Sequence, residues 1–461
     1  MLTRRGFLAA AGAAGAFVGL RAALGADVAS HSAPRMKSPF GALQPDPERV
    51  LDLPRGFSYT IVSRAGQLMD DGLYVPGAHD GMAAFDAGDG RVALVCNHEL
   101  QPFHVTAGPF GRYQQRLRRI ARDRLYDTGG CGAGQGGTTT LIYNPRARRV
   151  ERQYLSLAGT ERNCSGGPTP WGSWLSCEET VARPDFFRGR EHGWVFEVPA
   201  GAREPVDPVP LTALGRFKHE AAAVDPATGI VYLTEDQADS LIYRFLPDEP
   251  GRLVAGGRLQ ALALTGWKSA DTRNWPGHNR QVLAVNKPIE VRWLDLKQVE
   301  SPNDDLRMRG HADGAALFAR GEGICSGNGE LYFCCTSGGA LCAGQIFRYR
   351  PSPFEGEQRE REAPGRLELF VESSDRRALD SCDNLTLTPW GDLLVCEDAK
   401  TRCSLVGVTP GGALYPFAEN AYKASELAGV CFAPDGRTLF VNIYKRGLTL
   451  AITGPFPRVG P

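Results

Sequence analysis

Pairs of acidic residues close several short apolar runs of this 461-residue sequence. The phrase TPWGSWLSCEE ends on Glu178-Glu179, and TPWGDLLVCED, far along the chain, ends on Glu397-Asp398. Glu99 and the pair Glu235-Asp236 end two further runs of the same kind. Carboxylate oxygens are the ligands that hard cations such as Ca²⁺, Mg²⁺, Mn²⁺ and Fe³⁺ prefer. The first chemistry that these residues indicate is therefore metal binding.

The runs share one local form, a tight turn ending in glycine, then a strand, then a polar or acidic stop. It occurs six times, at Asp86–Glu99, Thr169–Glu179, Asp225–Asp236, Ser326–Gly339, Thr388–Asp398 and Phe432–Ile443. No long segment has helical periodicity, and 55 glycines and 32 prolines separate the short runs. Self-similarity along a whole chain is typical of repeat folds. We predict an all-β, six-bladed β-propeller with long inserted loops; seven blades or a split double domain are the alternatives.

In a propeller, equivalent strand ends of successive blades lie together around the central axis. Acids that close these strands would face one another, and their repulsion would be large in a low-dielectric site unless cations neutralise it. The simpler alternative is that each acid is a solvated cap at the end of its strand. Because four strands end in acids at the same position of the repeated phrase, we favour a shared cluster of multivalent cations.

Further residues that could do chemistry lie between the strands. They are Cys164, Lys218, His219, Glu220, Arg320, Glu322 and Asp383. A thiolate and three acids are possible metal ligands, whereas the cations suit contacts with a ligand or an anion. The plainer alternatives are a buried thiol at Cys164 and mutual ion pairs among the charged groups.

The first residues, MLTRRGFLAAAGAAGAFVGLRAALGA, are typical of a twin-arginine signal peptide. A membrane span is the alternative, but the clean apolar stretch from Gly6 to Leu20 is shorter than the ~20 residues that a span needs. We predict a signal peptide at 1–26, a linker at 27–50 and a propeller domain at 51–461. The protein would then be periplasmic or secreted, after passage through the twin-arginine export machinery.

The overall charge and the missing motifs exclude several classes of function. The 52 basic and 52 acidic residues balance, which gives no indication of a nucleic-acid or membrane-surface partner. Walker, HExxH, GxSxG and CxxC motifs are absent from the sequence, no convincing dinucleotide-binding fingerprint occurs, and its eight histidines are scattered. A His-rich zinc site is therefore disfavoured. We expect a monomer that acts on a small molecule.

Six segments, in order, resemble the PhoX-type alkaline phosphatases. They are NHE at Asn97–Glu99, NCSGGPTPWGSWLSCEE, GRFKHEAAAVDPATG, RGEG at Arg320–Gly323, CDNLTLTPWGDLLVCED and SELAGVCFAPDGRTLFVNI. The resemblance implies a six-bladed propeller whose axial site holds two ferric ions and up to three calcium ions. It also implies hydrolysis of phosphomonoesters at alkaline pH.

The resemblance assigns roles to individual residues. Cys164 would be a thiolate ligand of iron, and Arg320 would bind a phosphoryl oxygen. We expect Lys218 or His219 to hold the phosphate or to protonate the leaving group. The metal ligands would be Glu99, Cys164, Glu178, Glu179, Glu220, Glu235, Asp236, Glu322, Asp383, Glu397 and Asp398.

The sequence leaves two other functions open. A calcium-dependent propeller lactonase or phosphotriesterase would use one metal ion and would hydrolyse a lactone in preference to a phosphomonoester. A non-catalytic propeller would bind calcium for stability alone and would hydrolyse neither substrate.

Overall fold

The computed structural model describes residues 33–130, 132–278, 281–422 and 425–457, and the predicted signal peptide lies outside them. This part of the chain contains 26 strands and a single α-helix, α1, at Leu306–Asp313. The short 3-10 helices are Leu117–Arg119, Arg122–Arg124, Thr212–Leu214, Leu253–Ala255 and Gln358–Glu362. No helix within the described residues is both long and apolar enough to cross a membrane. The prediction of an all-β chain is confirmed.

Most strands belong to six antiparallel groups, which we call blades 1 to 6. Three strands precede them: β1 (Leu43–Gln44), β2 (Leu51–Pro54) and β3 (Ser58–Arg64). Blade 1 consists of β4 (His79–Asp86), β5 (Val92–His98), β6 (Gly136–Asn144) and β7 (Arg149–Thr160). Blade 2 consists of β8 (Asn163–Pro168), β9 (Ser173–Glu178) and β10 (Val195–Pro199). Blade 3 consists of β11 (His219–Val224), β12 (Val231–Glu235), β13 (Ile242–Pro247) and β14 (Gly257–Leu264).

The second half of the chain repeats the pattern after one additional strand, β15 (Ile289–Asp295). Blade 4 consists of β16 (Gly321–Gly327), β17 (Glu330–Cys335), β18 (Gln345–Arg350) and β19 (Arg366–Glu372). Blade 5 consists of β20 (Cys382–Leu387), β21 (Leu393–Glu397), β22 (Ser404–Val408) and β23 (Leu414–Asn420). Blade 6 consists of β24 (Leu427–Phe432), β25 (Thr438–Ile443), β26 (Leu448–Thr453) and the early strand β3.

The first strand of each blade lies at the centre of the fold. Strand β4 contacts β8, β8 contacts β11, β11 contacts β16, β16 contacts β20, β20 contacts β24, and β24 contacts β4 again. These six inner strands therefore form a closed ring around an axis, which is the arrangement of a propeller. The ring closes in blade 6, where β3 pairs with β26 through Ile61↔Leu450 and Tyr59↔Ile452.

The hydrogen bonding corrects the prediction of six separate blades in one respect. The described strands form five sheets, because β15 pairs with β14 and also, through Ile289↔Leu367 and Glu290↔Arg366, with β19. Blades 3 and 4 consequently share one nine-stranded sheet. Strand β15 lies in an insertion that lacks the turn-and-strand phrase, so the repeat pattern did not predict it.

The described part of the predicted linker, residues 33–50, is attached to blade 5. The N–H of Met36 donates to the carbonyl of Leu414, and β1 pairs with β2, which in turn pairs with β23. The Phe40 ring packs edge-on against Phe57 and Phe417 at centroid distances of 5.5 and 5.3 Å. Among the described residues, this segment therefore packs in one compact unit with the propeller strands.

Apolar side chains between neighbouring blades hold the inner strands in place. In blade 4, the buried rings of Phe333 and Phe347 stack at 5.1 Å, and Phe318 packs edge-on against both. Burying a side chain of this size stabilises the fold by about 1.5–3 kcal/mol. Many such contacts on both sides of a blade keep the axis-facing positions of its inner strand close to those of its neighbours.

Candidate metal centre

Five of the six inner strands contain a β-bulge that begins at an acid or a cysteine. In β4, His79 pairs with His98 and Met82 with Cys96, so Asp80 and Gly81 both lie opposite a single residue of β5. A bulge of this kind bends the strand and redirects a side chain. The residues that begin the five bulges are Asp80, Cys164, Glu220, Glu322 and Asp383.

Glycine follows the acid in two of these bulges because the inner strands approach each other closely there. A Cβ atom on Gly81 would lie 2.5 Å from the Cα of Ser165 in the next blade. A Cβ atom on Gly323 would lie 2.7 Å from the Cα of Asn384. Both distances are shorter than real Cβ contacts, so only glycine lets adjacent blades bring their acids together.

A second backbone feature recurs in all six blades of the described chain. The residue after the second strand donates its N–H to the carbonyl of the residue before the inner strand, at 2.9–3.3 Å. The donor and acceptor pairs are Glu99 and Ala78, Glu179 and Arg162, Asp236 and Lys218, Thr336 and Arg320, Asp398 and Ser381, and Tyr444 and Glu426. In blades 1, 2, 3 and 5, where the donor is an acid, this bond places the acid beside the residue that begins the bulge of the same blade.

Together these positions define a group that we call the axial cluster. Its members are Asp80, Glu99, Cys164, Glu179, Glu220, Asp236, Glu322, Asp383, Asp398 and Glu426. Their charges act on one another although they come from six different blades. The sequence predicted this convergence for eight of the ten.

Two sets of atoms in the axial cluster lie close enough to share a metal ion. Cys164 Sγ and one carboxylate oxygen each of Glu179 and Glu220 lie within 4.8 Å of one another. One oxygen each of Glu220, Glu322 and Asp383 forms a second set with the same spacing. Because Glu220 belongs to both sets, the two candidate sites are neighbours.

Two arginines beside the cluster neutralise part of its charge. Arg162 forms ion pairs with Glu179 and, at 2.9 Å, with Glu99. Arg320 holds both oxygens of Asp236, at 2.7 and 2.9 Å, and Glu322 at 2.9 Å. Charge-assisted contacts of this bidentate kind fix the position of a carboxylate as well as neutralising it.

Burial and mutual repulsion act together on the acids at the bulges. Burial, and then the charges of neighbouring carboxylates, raise the pKa of Asp80, Glu220 and Glu322 well above the ordinary values. For Glu322, Arg320 opposes this shift in pKa without cancelling it. The protein's own cations therefore do not neutralise this part of the site.

The pKa values of three other acids of the axial cluster are raised as well. Burial, together with nearby carboxylates, raises the pKa values of Glu179 and Asp383 to about 8 each. Burial and a hydrogen bond with Asp398 raise the pKa of Glu426 to about 10. A multivalent cation would reverse these shifts, because it favours the charged form of each ligand.

Three predicted ligands, Glu178, Glu235 and Glu397, bond inside their own blades. Each is the last residue of a second strand, and the next residue belongs to the axial cluster, because successive side chains of a strand point to opposite faces. The donors are His192, Gly193 and Glu161 to Glu178, Tyr243 and Leu241 to Glu235, and Asp380 and Ser404 to Glu397. The prediction that both acids of each pair converge is thus corrected to one acid of each pair.

The two basic residues next to Glu220 lie in different surroundings. His219 is fully buried, its ring stacks on Phe217 at 3.6 Å, and its Nε2 lies 2.9 Å from the carbonyl of Gly215. Burial lowers the pKa of His219 to about 3, so the ring is neutral. Lys218 is half-buried, and its ammonium has no ion-pair partner among the described residues. The structure thus places His219 in the core of blade 3, whereas Lys218 directly precedes the inner strand β11, with its backbone carbonyl bonded to the N–H of Asp236.

Sequence reasoning did not assign three residues of the site. Asp80 was missed because its strand carries no TPWG-like phrase, although Asp80-Gly81 repeats the acid-glycine pattern of Glu322-Gly323. Glu426 lies in the segment SELAGVCFAPDGRTLFVNI, but it precedes the inner strand and does not end an apolar run. Tyr444 occupies the position that carries an acid in four other blades, and its hydroxyl donates to Glu99. Burial and the charge of Glu99 raise the pKa of Tyr444, so it remains a donor.

Comparisons with known proteins show the family and the fold of this chain. A family model for alkaline phosphatase PhoX matches residues 38–447. PhoX of Pseudomonas fluorescens, solved in complex with vanadate, a transition state analogue, has a TM-score of 0.64 at 17% identity, covering 92% of this chain and 98% of that chain.

Other solved structures are less similar. A protein of unknown function from Bacteroides thetaiotaomicron has a TM-score of 0.42 at 9% identity, with 86% of this chain and 76% of that chain covered. The gluconolactonase XC5397 from Xanthomonas campestris has a TM-score of 0.41 at 12% identity, with 91% and 99% covered. A search of curated protein sequences gives no match.

The match to the family model spans nearly all of the described propeller, from the attached N-terminal segment to the turn after β25. The fold agrees with that of the Pseudomonas phosphatase over almost the full length of both chains. The resemblance that the sequence motifs indicated is therefore confirmed. The chain belongs to the PhoX family of alkaline phosphatases, which are metal-dependent phosphomonoester hydrolases.

Proposed function

We propose that the axial cluster holds the metal ions of this phosphatase, two ferric ions and up to three calcium ions. The observation that carries the proposal is the pair of ligand sets that share Glu220, one with a cysteine sulfur and one made of carboxylates only. Cys164, Glu179 and Glu220 would hold iron, because a thiolate is a soft ligand that suits iron better than calcium. The carboxylates of the remaining acids suit calcium.

The charges at the site support this proposal. Nine carboxylates of the axial cluster face three cations of the chain, Arg162, Lys218 and Arg320. All three cations come from consecutive blades 2, 3 and 4, whereas the equivalent residues of blades 1, 5 and 6 are Ala78, Ser381 and Glu426. Apart from Glu99, which pairs with Arg162, the axial-cluster acids of blades 1, 5 and 6 form no ion pair with a cation of the described residues, so bound metal ions are the available counter-charge.

Bound multivalent cations would neutralise the acids, lower the pKa of a water molecule and offset the charge of the reacting phosphoryl group. The chain's own residues hold and orient the substrate. Arg320 uses Nε and Nη2 on Asp236 and Glu322, and its Nη1 has no partner among the described residues, so it can donate to a phosphoryl oxygen. Lys218, which precedes β11 as Arg320 precedes β16, would supply a second cation for the substrate. Fixed donors of this kind stabilise the charge that phosphoryl transfer distributes over the equatorial oxygens.

We also propose that the protein is exported by the twin-arginine route and acts as a periplasmic or secreted monomer. Arg4-Arg5 and the apolar run that follows support this location. Export of an already folded chain suits a phosphatase that acquires its metal ions before it leaves the cytoplasm.

The test is a phosphomonoesterase assay with p-nitrophenyl phosphate at alkaline pH. We expect turnover by the protein as purified, loss of turnover with a calcium chelator, and recovery when calcium is restored. Hydrolysis of a lactone in preference to p-nitrophenyl phosphate, or turnover that chelators do not affect, would contradict the proposal.

The iron assignment has its own test with a matched control. Cys164→Ala should lose iron and the visible absorption that a thiolate gives to ferric iron. Cys177→Ala, a buried thiol of the neighbouring strand β9, should keep both. Equal iron content and equal absorption in the two variants would exclude Cys164 as a ligand.

A further inference from the structure

A cavity of about 750 Å³ opens beside the axial cluster. Glu99 and Tyr444, which are hydrogen-bonded to each other, form part of its wall, so the cavity adjoins the proposed metal centre directly. The loop after β5 forms another wall with Leu100, Phe103 and His104. The volume lies within the 300–1,000 Å³ that is typical of pockets for small organic molecules.

Small residues of blade 1 make this cavity possible. At the position where blades 2, 3 and 4 carry Arg162, Lys218 and Arg320, blade 1 carries Ala78, which lines the cavity. Gly77 lies next to it, and a Cβ atom there would come within 3.3 Å of the Ala107 side chain. The axial site is therefore open on the side of blade 1, towards the loop of residues 101–108, whereas blades 2, 3 and 4 carry long cations at this position.

The mouth of the cavity presents an aromatic ring to solvent. Phe103 is 51% exposed, and its ring is edge-on to His104 at 4.9 Å and to Phe187 at 6.0 Å. His104 Nδ1 accepts from the N–H of Gln101, which fixes the ring and leaves Nε2 without a partner among the described residues. An exposed phenyl ring beside free hydrogen-bonding groups is the arrangement on which planar heterocycles stack.

We propose that this cavity binds the leaving group of the substrate and selects phosphomonoesters whose leaving group carries a planar heterocyclic ring, such as a nucleoside. The inference rests on the proposed function, because it places the phosphoryl group at the axial cluster. Phe103 stacks on the ring, and His104 and Thr106 contact its polar edge. The ribose lies between them, past Ala78.

The test compares two substrates with the same scissile bond, adenosine 5′-monophosphate and ribose 5-phosphate, on the metal-loaded protein. We expect a kcat/KM ratio of about ten in favour of the nucleotide, the size of one base stacked on one aromatic side chain. The difference should appear in KM, because the ring contact is the same in the ground state and the transition state.

Variants separate stacking from mere apolar contact. Phe103→Leu should bring the ratio close to one, mainly through a higher KM for the nucleotide, and Phe103→Tyr should keep the wild-type ratio. Phe186→Ala is the control, because Phe186 is an exposed ring of the adjacent loop that does not line the cavity. A wild-type ratio near one, or a ratio that Phe103→Leu leaves unchanged, would overturn the proposal.

The two proposals fail in different ways. Turnover of ribose 5-phosphate tests the phosphatase, whereas the ratio tests the cavity. If neither ester is hydrolysed, titration calorimetry with adenosine still tests whether the cavity binds a heterocyclic ring. We expect wild type to bind adenosine at least about fivefold more tightly than Phe103→Leu; equal affinity or no binding would overturn the cavity assignment.

Discussion

Glu178 and Glu179 are adjacent residues of the same type, yet they lie in two different environments. Glu178 accepts hydrogen bonds from His192 and from three backbone N–H groups inside blade 2. Glu179 meets Arg162 on one side and the acids of the axial cluster on the other. Because a strand alternates its faces, one step along the chain separates an acid that stabilises the blade from an acid that can bind metal.

The two environments neutralise charge by different means. Burial alone would lower the pKa of His192, but the charges of Glu178 and Glu161 and hydrogen bonds with Asp127 and Glu178 raise it to about 10. A charged His192 therefore balances Glu178 within the blade. At the axis the acids face other acids, and burial and repulsion raise their pKa values together. The comparison indicates that only the axial side needs cations from solution.

The largest effect should come from removing the axial member of the pair. Glu179→Gln is expected to lower kcat/KM for p-nitrophenyl phosphate by about 10³-fold, more than the 10–100-fold that loss of an outer contact of a metal ligand costs. It should also lose bound metal, measured by elemental analysis, with little change in folding. If the variant kept its full metal content and activity, Glu179 would not be a metal ligand, and the proposed difference between the two acids would be wrong.

The blade-facing member should show the opposite pattern. Glu178→Gln leaves His192 with a weaker partner in a buried site, so we expect it to lower the free energy of unfolding by about 3 kcal/mol. The measurement is urea denaturation, with kcat determined on the folded protein at 25 °C. Loss of metal from a folded Glu178→Gln protein would show that this acid, too, belongs to the metal centre.

Replacing the guanidinium of Arg320 should have an intermediate effect. Arg320→Lys keeps the charge but cannot hold both oxygens of Asp236, so we expect kcat/KM to fall by about 10–30-fold, mainly through KM. The control is Arg350→Lys, an exposed arginine of β18 that pairs with Glu330. If both variants behaved alike, Arg320 would contribute only general charge to the site.

The smallest effect should be a pH dependence of stability in blade 2. The pKa of His192 is about 10 in the folded chain and 6.5 ordinarily, so its charge stabilises the fold fully below about pH 6.5. That contribution is lost as the pH rises towards 10. The difference in unfolding free energy between wild type and His192→Asn should therefore shrink between pH 6.5 and 10. A difference that stays constant or grows would contradict a charged His192.

The sequence predicted the repeated fold because each phrase marks the tight turn between an inner strand and the second strand of its blade. It did not predict β15 or the attached N-terminal segment, which carry no such phrase. These two elements depend on pairing with strands far away in the chain. Long-range pairing of this kind leaves no local pattern.

The site was predictable only in part for a similar reason. Cys164, Glu220, Glu322 and Asp383 stand in recognisable motifs, and the structure brings all four to the axis. Which acid of a pair faces the axis depends on the register at the strand end, and that register is set by a backbone hydrogen bond to a residue earlier in the chain. A one-residue change in register exchanges the two faces of a strand.

Anomalous X-ray diffraction at the iron absorption edge, from crystals of the wild-type protein, tests the central claim most directly. We expect a peak within bonding distance of Cys164 Sγ and of a Glu220 oxygen, and none near Glu178. An anomalous map with no iron in the axial cluster, in a protein that hydrolyses phosphomonoesters, would contradict the account.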